Sequence, residues 1–139
     1  MSTTHERWYS LRDVICAKDL DHATSLLAQE PSLLHLTNSI GETVLHFLAV
    51  ENVAEGVAWL HARGAELDVK NKFGTPALFE VASLGYTELF TWFLKHGANV
   101  HARDADEQDI VQHLLEQGNA AMAEWVRENG LQSGSPPAR

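Results

Sequence analysis

Asn71 to Arg103 reads NKFGTPALFEVASLGYTELFTWFLKHGANVHAR, and its landmarks recur at a fixed distance on both sides. A shift of 33 residues without a gap aligns Gly74 with Gly41, Leu78 with Leu45, Ala82 with Ala49, and Gly97-Ala98 with Gly64-Ala65. Shifting forward aligns Gly85 with Gly118 and Gly97 with Gly130. Three of the four tryptophans stand at 59, 92 and 125, again 33 apart. Self-similarity at a period of roughly 20–50 residues marks a repeat architecture, in which each unit buries its apolar face only against its neighbours.

Within one period the pattern is a tight turn, a short apolar helix, a second turn and a longer apolar helix. This resembles the ankyrin repeat, whose signature is T-P-L-H-x-A. The nearest copy is Thr43-Val44-Leu45-His46 with Ala49 beyond it, and the next unit carries Thr75-Pro76-Ala77-Leu78-Phe79, its Thr-Pro displaced by one place. The resemblance covers residues 8 to 130. It implies an all-α solenoid of helix-turn-helix units with two atypical capping units, and it gives His46 a structural task, linking turn and helix by hydrogen bonds, with no catalytic one.

Residues 8–37 are then an N-terminal capping unit with helices Ser10 to Lys18 and Leu20 to Gln29, the second ended by Pro31, with Ser10 and Asp21 as N-cap candidates. Residues 38–70 form the next unit, with an inner helix Thr43 to Glu51, an outer helix Val53 to Arg63 and Gly64 as a left-handed C-cap. Residues 71–103 repeat the plan, with Pro76 expected in the first helical turn, where its missing N–H is harmless. Residues 104–130 close the array, with Asp109 capping a helix from Ile110 to Gln117 and an outer helix from Ala120 to Asn129. Leu131 to Arg139, LQSGSPPAR, has the composition of a disordered tail.

The tryptophan column falls mid-way along the outer helices beside Leu60, Phe93 and Val126, so it is expected to fill the space between units. By the same alignment Cys16 falls in the column of Ala49, Ala82 and Leu115, which predicts a core thiol, and Arg12 falls where later units have Leu45 and Leu78. One cysteine allows no internal disulfide and fits a reducing compartment.

Eight histidines invite a metal reading, since His35, Asp68 and His101 share one column. Zinc ligands sit about 2 Å from the ion, whereas packed helices are about 8–10 Å apart, so this column cannot converge on one ion and no metal is expected. The acidic run from Asp104 to Asp109 starts like a calcium loop but has Asp109 and Leu115 where glycine and glutamate are required. Its carboxylates instead complement the dipole of the helix that starts near Ile110. There is no glycine-rich phosphate loop, HExxH or Cys-x-x-Cys, so no cofactor is expected and an enzyme has no local support; a small metal-dependent enzyme using the histidines is the weakest alternative.

The 139 residues, 45% hydrophobic and 21% charged, suit one compact domain. MSTTHER lacks an apolar signal core and no apolar run reaches about 18 residues, so a cytoplasmic chain that does not cross a membrane is expected. The net charge of −9 disfavours phosphate backbones and anionic membranes, which call for Lys and Arg. Residues 104–130 concentrate it: Asp104, Asp106, Glu107, Asp109, Glu116, Glu124 and Glu128 face Arg127 alone. Solubility is one reading of that surface, and attraction of a basic protein is the other.

By resemblance, a partner sits on turn tips and the exposed side of the inner helices, on one concave face. Carried over residue by residue, the positions are Ser39, Ile40, Glu42, Val50 and Glu51; Lys72, Phe73, Thr75, Ser83 and Leu84; and Ala105, Asp106, Gln108, Glu116 and Gln117. Ile40, Phe73, Val50 and Leu84 are apolar where water is expected, and apolar patches rimmed by charge mark interfaces. The expected function is a non-enzymatic protein-binding module, monomeric outside its complex. An immunity-type inhibitor of a basic toxin or nuclease is the sharper alternative.

Overall fold

The turns carry the period most visibly. Asn38 Oδ1 accepts from the N–H groups of Ile40 and Glu42 at 3.1 and 3.0 Å. Asn71 Oδ1 does the same for Phe73 and Thr75 at 2.9 and 3.1 Å, and Asp104 Oδ1 for Asp106 and Gln108 at 2.9 and 3.0 Å. Each of these residues also donates its own N–H to the carbonyl four places on, in Glu42, Thr75 and Gln108. A short side-chain oxygen that closes the backbone in this way is what makes Asn and Asp turn residues.

The computed structural model describes residues 4–131. Among the described residues the α-helices are α1 Thr4–Cys16, α2 Leu20–Gln29, α3 Val44–Val50, α4 Ala54–Ala62, α5 Ala77–Ser83, α6 Thr87–Lys95, α7 Ile110–Glu116 and α8 Ala120–Val126. A 3-10 turn, Pro31–His35, follows α2, and a π-helical turn, Arg127–Leu131, follows α8. Among the described residues the only β feature is an isolated bridge between Lys70 and Pro76. No described helix is long and apolar enough to cross a membrane.

The helices pack in pairs, α1 with α2, α3 with α4, α5 with α6 and α7 with α8, and the first members form a row in which α1 meets α3, α3 meets α5 and α5 meets α7. Successive turns touch closely. Lys72 N–H donates to Ile40 O at 2.9 Å, and a Cβ on Gly41, at φ +80°, would stand 2.5 Å from Lys72 N. At Gly74, also φ +80°, a Cβ would meet that of Ala105 at 2.6 Å. Glycine is thus required twice over, by conformation and by room. The equivalent residue of the last turn is Glu107, at φ 64°, and no further turn of the described chain lies against it.

The first unit is out of step by one residue. Asn52, Gly85 and Gly118 donate to Ala49, Ala82 and Leu115, whereas Lys18 donates to Ile15. Ile15 is therefore the counterpart of Ala49, at a spacing of 34, and it is buried. This corrects the reading of Cys16 as a core thiol: its side chain is exposed. Leu11, fully buried, takes the place assigned to Arg12, and at the same spacing of 34 Leu26 corresponds to Leu60. The extra residue lies between α2 and Asn38, where a 3-10 turn, Pro31–His35, stands in place of the left-handed glycine turns at Gly64 and Gly97 that follow α4 and α6. Leu115 is 45% exposed because the last of the row has no following helix over it.

The tryptophan column does pack between units, but from the rim of the core. Trp59, Trp92 and Trp125 are half-buried against it, and their neighbours Leu60, Phe93 and Val126 are the buried ones. Trp92 meets His61 of the preceding unit edge-on at 5.6 Å, Trp125 meets Phe90 at 5.5 Å, and Trp92 also stacks on His96 with ring centroids 4.1 Å apart. The fully buried tryptophan is Trp8, outside the column; it packs edge-on against Tyr9 and Phe47 and donates its indole N–H to Glu42 O at 3.1 Å.

Helix starts follow the caps. Thr43 Oγ1 accepts from His46 N–H, and Asp109 with Gln112 forms a reciprocal capping box, as its place in the sequence predicts. Ser10 is interior to α1, α2 is capped by Asp19 and not Asp21, and Pro76 stands one residue before α5 in an extended conformation. Gly130 does not match Gly97: it lies buried in the π-turn, where a Cβ would come 2.9 Å from the Phe90 ring. Of the segment expected to be a tail, Leu131 belongs to this turn and residues 132–139 lie outside the described residues.

Candidate functional site

Two shallow clefts meet on the face formed by the row of first helices and the turn tips. One, about 420 Å³, is lined by Val50, Asn71, Phe73, Thr75, Glu80, Ser83, Leu84, His113 and Gln117. The other, about 150 Å³, shares Phe73, Thr75, His113 and Gln117 and adds Asp104, Ala105, Asp106, Gln108 and Glu116. Phe73 forms the ridge between them and is 60% exposed, which is exceptional for a side chain of its size.

The sequence-derived positions are largely brought together. Phe73, Thr75, Val50, Leu84 and Gln117 line the larger cleft, and Asp106, Gln108 and Glu116 the smaller. Gln108 Nε2 donates to Glu116 Oε1 at 2.5 Å, and Ser83 Oγ donates to Gln117 Oε1 at 2.7 Å, so the floor is tied from turn to helix and from α5 to α7. Ile40 is at the neighbouring turn tip, 38% exposed, and Leu84 is 49% exposed. Lys72 is exposed with its Nζ over the face of the Phe73 ring, 5.4 Å from the centroid, a cation–π contact. Ser39 and Glu51 are exposed but line neither cleft.

Glu42 must be withdrawn from this surface. It is 5% exposed: Thr75 and Gln108 make the same turn bond without being buried, but Glu42 has the first unit packed against it, with the indole N–H of the fully buried Trp8 donating to its carbonyl oxygen. Burial raises its pKa above the ordinary carboxylate value, opposed by the attraction of His46 and reinforced by Glu80. His46 is 1% exposed; its Nε2 bonds Glu80 Oε2 at 2.6 Å and lies 3.8 Å from Glu42 Oε2. Asn71 Nδ2 also donates to Glu80 Oε2, at 3.2 Å. The hydrogen-bonding task expected of His46 therefore runs from α3 to a carboxylate of α5.

One unit on, the same place in the fold holds a second polar pair. Glu80 and His113 are 33 apart, and each reaches back nine residues to its own turn, Glu80 to Asn71 and His113 Nδ1 to Asp104 Oδ2 at 2.7 Å. Burial pushes the Asp104 pKa up, but the bond to His113 and the N–H groups of Gln108 and Asp106 outweigh it, leaving the carboxyl below its usual range. Glu80 and His113 were not among the sequence candidates. Their signal was present as polar residues at equivalent places in the two helices, each nine residues after an Asn or Asp.

The column His35, Asp68 and His101 does not assemble a site. Asp68 Oδ1 accepts from Asn99 N–H at 2.8 Å, and all three side chains are exposed. Among the described residues, the one set of three or more potential ligands with mutually close donor atoms is Glu42, His46 and Glu80.

No family model matches the chain. It is 31% identical over 87 residues to the probable E3 ubiquitin-protein ligase XBOS32 of Oryza sativa subsp. japonica, a match that covers 62% of this chain and 18% of that protein. The matched segment thus spans less than a fifth of the length of that curated relative.

Proposed function

We propose that this chain is a member of the ankyrin-repeat family, an α-solenoid of four units whose first and last act as caps, and that it is a non-enzymatic module that binds a protein partner along the clefted face. The recurrence of the turn hydrogen bonds at Asn38, Asn71 and Asp104 supports the repeat assignment. The observation that carries the binding function is Phe73, 60% exposed on a ridge between two clefts, with Leu84 at 49% beside it. Exposed large apolar side chains set among polar neighbours are the usual anchors of protein interfaces, where truncating one commonly weakens binding by about 2 kcal/mol or more. The rice protein shares only a segment with this chain, so the likeness supports a common building unit and not a common ligase activity.

Quantitative pull-down with three baits tests this: the wild type, Phe73→Ala with Leu84→Ala, and Glu88→Arg on the exposed side of α6. Partners of the clefted face are kept by Glu88→Arg and lost by the double variant, while circular dichroism of all three is unchanged. A captured set identical for wild type and double variant refutes the reading.

A second reading rests on charge. Asp106 and Glu116 line the smaller cleft within the most acidic unit, so a basic partner would be drawn to that end, as for an immunity-type inhibitor of a basic toxin or nuclease. Such a pair associates faster at low salt, and Glu116→Lys slows association with little change in dissociation.

A further inference from the structure

We propose that Glu42, His46 and Glu80 form a zinc-binding site that clamps α3 to α5. Their donor atoms all lie within 4.8 Å of one another. His46 Nε2 is 2.6 Å from Glu80 Oε2 and 3.8 Å from Glu42 Oε2. Two ligands held tetrahedrally at about 2.0–2.1 Å from zinc are about 3.3 Å apart, so the observed separations bracket the required one. To reach it, His46 and Glu80 separate by about 0.7 Å and His46 and Glu42 approach by about 0.5 Å, movements within the range of glutamate side chains.

Charge and burial distinguish this trio from a surface acidic cluster. The Glu42 side chain is 6% exposed and that of His46 1%, so water screens neither. With a neutral imidazole the three groups carry −2, and with an imidazolium −1; a divalent cation on a neutral imidazole brings the trio to zero. Buried charge without compensation is among the most unfavourable arrangements in a folded chain.

His46 Nδ1 is buried with no hydrogen-bond partner. The imidazole thus lacks the outer contact that usually orients a metal-bound histidine, and its position rests on what Nε2 engages. Glu80, by contrast, is steadied from outside the trio by Asn71 Nδ2, the kind of second contact that fixes ligating carboxylates.

Access and metal choice follow from the surroundings. The Glu80 side chain is 26% exposed and lines the larger cleft, so an ion reaches the trio from that side and a water can take the fourth place. One nitrogen and two carboxylate oxygens in a tight buried set suit zinc, whereas calcium takes six to eight oxygens and magnesium retains several waters. The inference does not depend on the protein-binding role of the clefted face.

The test uses the full chain, stripped with chelator and titrated with Zn²⁺ alone by calorimetry and by thermal unfolding. One zinc per chain and a raised unfolding midpoint are expected. Glu80→Gln, at the partly exposed position where folding is least at risk, weakens binding by at least about tenfold and removes the thermal shift. His96→Ala controls for the pair His61 and His96, half-buried and exposed, whose rings are 5.7 Å apart, and binds as the wild type does. The proposal is overturned if Zn²⁺ gives no saturable binding, if Glu80→Gln binds as tightly as the wild type, or if His96→Ala is the variant that loses it.

Discussion

Removing Trp8 should harm this protein more than removing any tryptophan of the 33-residue column. Its side chain is fully buried, edge-on to Tyr9 with centroids 4.7 Å apart and to Phe47 at 5.7 Å. A buried tryptophan removes about 150–250 Å² from water, which at about 25 cal/mol per Å² sets an upper limit near 4–6 kcal/mol. Truncation to alanine keeps Cβ and lets the site relax in part, so Trp8→Ala should lose about 3–5 kcal/mol. The indole bond to Glu42 O adds little to this, because that carbonyl keeps the Asn38 N–H at 2.9 Å. Trp92, half-buried on the stack's outer side, should lose only about 1–2 kcal/mol as alanine. Equilibrium urea unfolding followed by circular dichroism measures both. A smaller midpoint for Trp8→Ala with an undiminished slope means that the whole stack is weakened, and a reduced slope means that α1 and α2 have already detached. If Trp92→Ala proves as damaging as Trp8→Ala, or Trp8→Ala costs less than about 1 kcal/mol, the assignment of the core is wrong.

Asp104 gives a pH signature. Its folded pKa lies below the ordinary value of 3.8, so it contributes stability that is present above that value and is lost as pH falls through the depressed folded pKa. Asp104→Asn keeps an oxygen for the turn but gives up a charge-assisted bond to His113, so it should lose about 1–2 kcal/mol near neutral pH, and the deficit should shrink in acid denaturation profiles below pH about 4. Gly41→Ala should cost about 2 kcal/mol or more, through both left-handed strain and the clash with Lys72 N, while Glu107→Gly should gain up to about 1 kcal/mol; thermal melts of the two variants should move in opposite directions. Cys16 should react completely with a thiol reagent in the native protein without denaturant, and slow labelling limited by unfolding would restore it to the core.

The period, the helical pairs and most cleft residues were legible because a repeat multiplies each weak local signal. Gly41 and Gly74 mark turns that need the same backbone shape, and the counterparts of Leu45 and Leu78 face the same neighbours. The first unit was misread by one place because its turn and core carry too few landmarks to show where the extra residue falls, which exchanged Cys16 for Ile15. Trp8 was invisible for the same reason, having no counterpart at 33. The burial of Glu42 could not be seen from a charge at a turn position, because it follows from the packing of Trp8 of the first unit against that turn. Convergence of His46 with Glu80, 34 residues away and one helix over, required the packing of α3 on α5 to bring them together.

The pairing of Gly41 with Lys72, and of Gly74 with Ala105, also makes the array directional in how it can lengthen. A copy of residues 71–103 spliced after Arg103 brings its own glycine to face the next turn, so the molecule can be extended from within without any compensating change. Addition beyond the fourth unit meets a different condition, because a new turn would arrive against the Cβ of Glu107. Duplication of an internal unit is therefore the low-barrier path to a longer relative, and a longer relative grown at the far end should carry glycine at the place of Glu107.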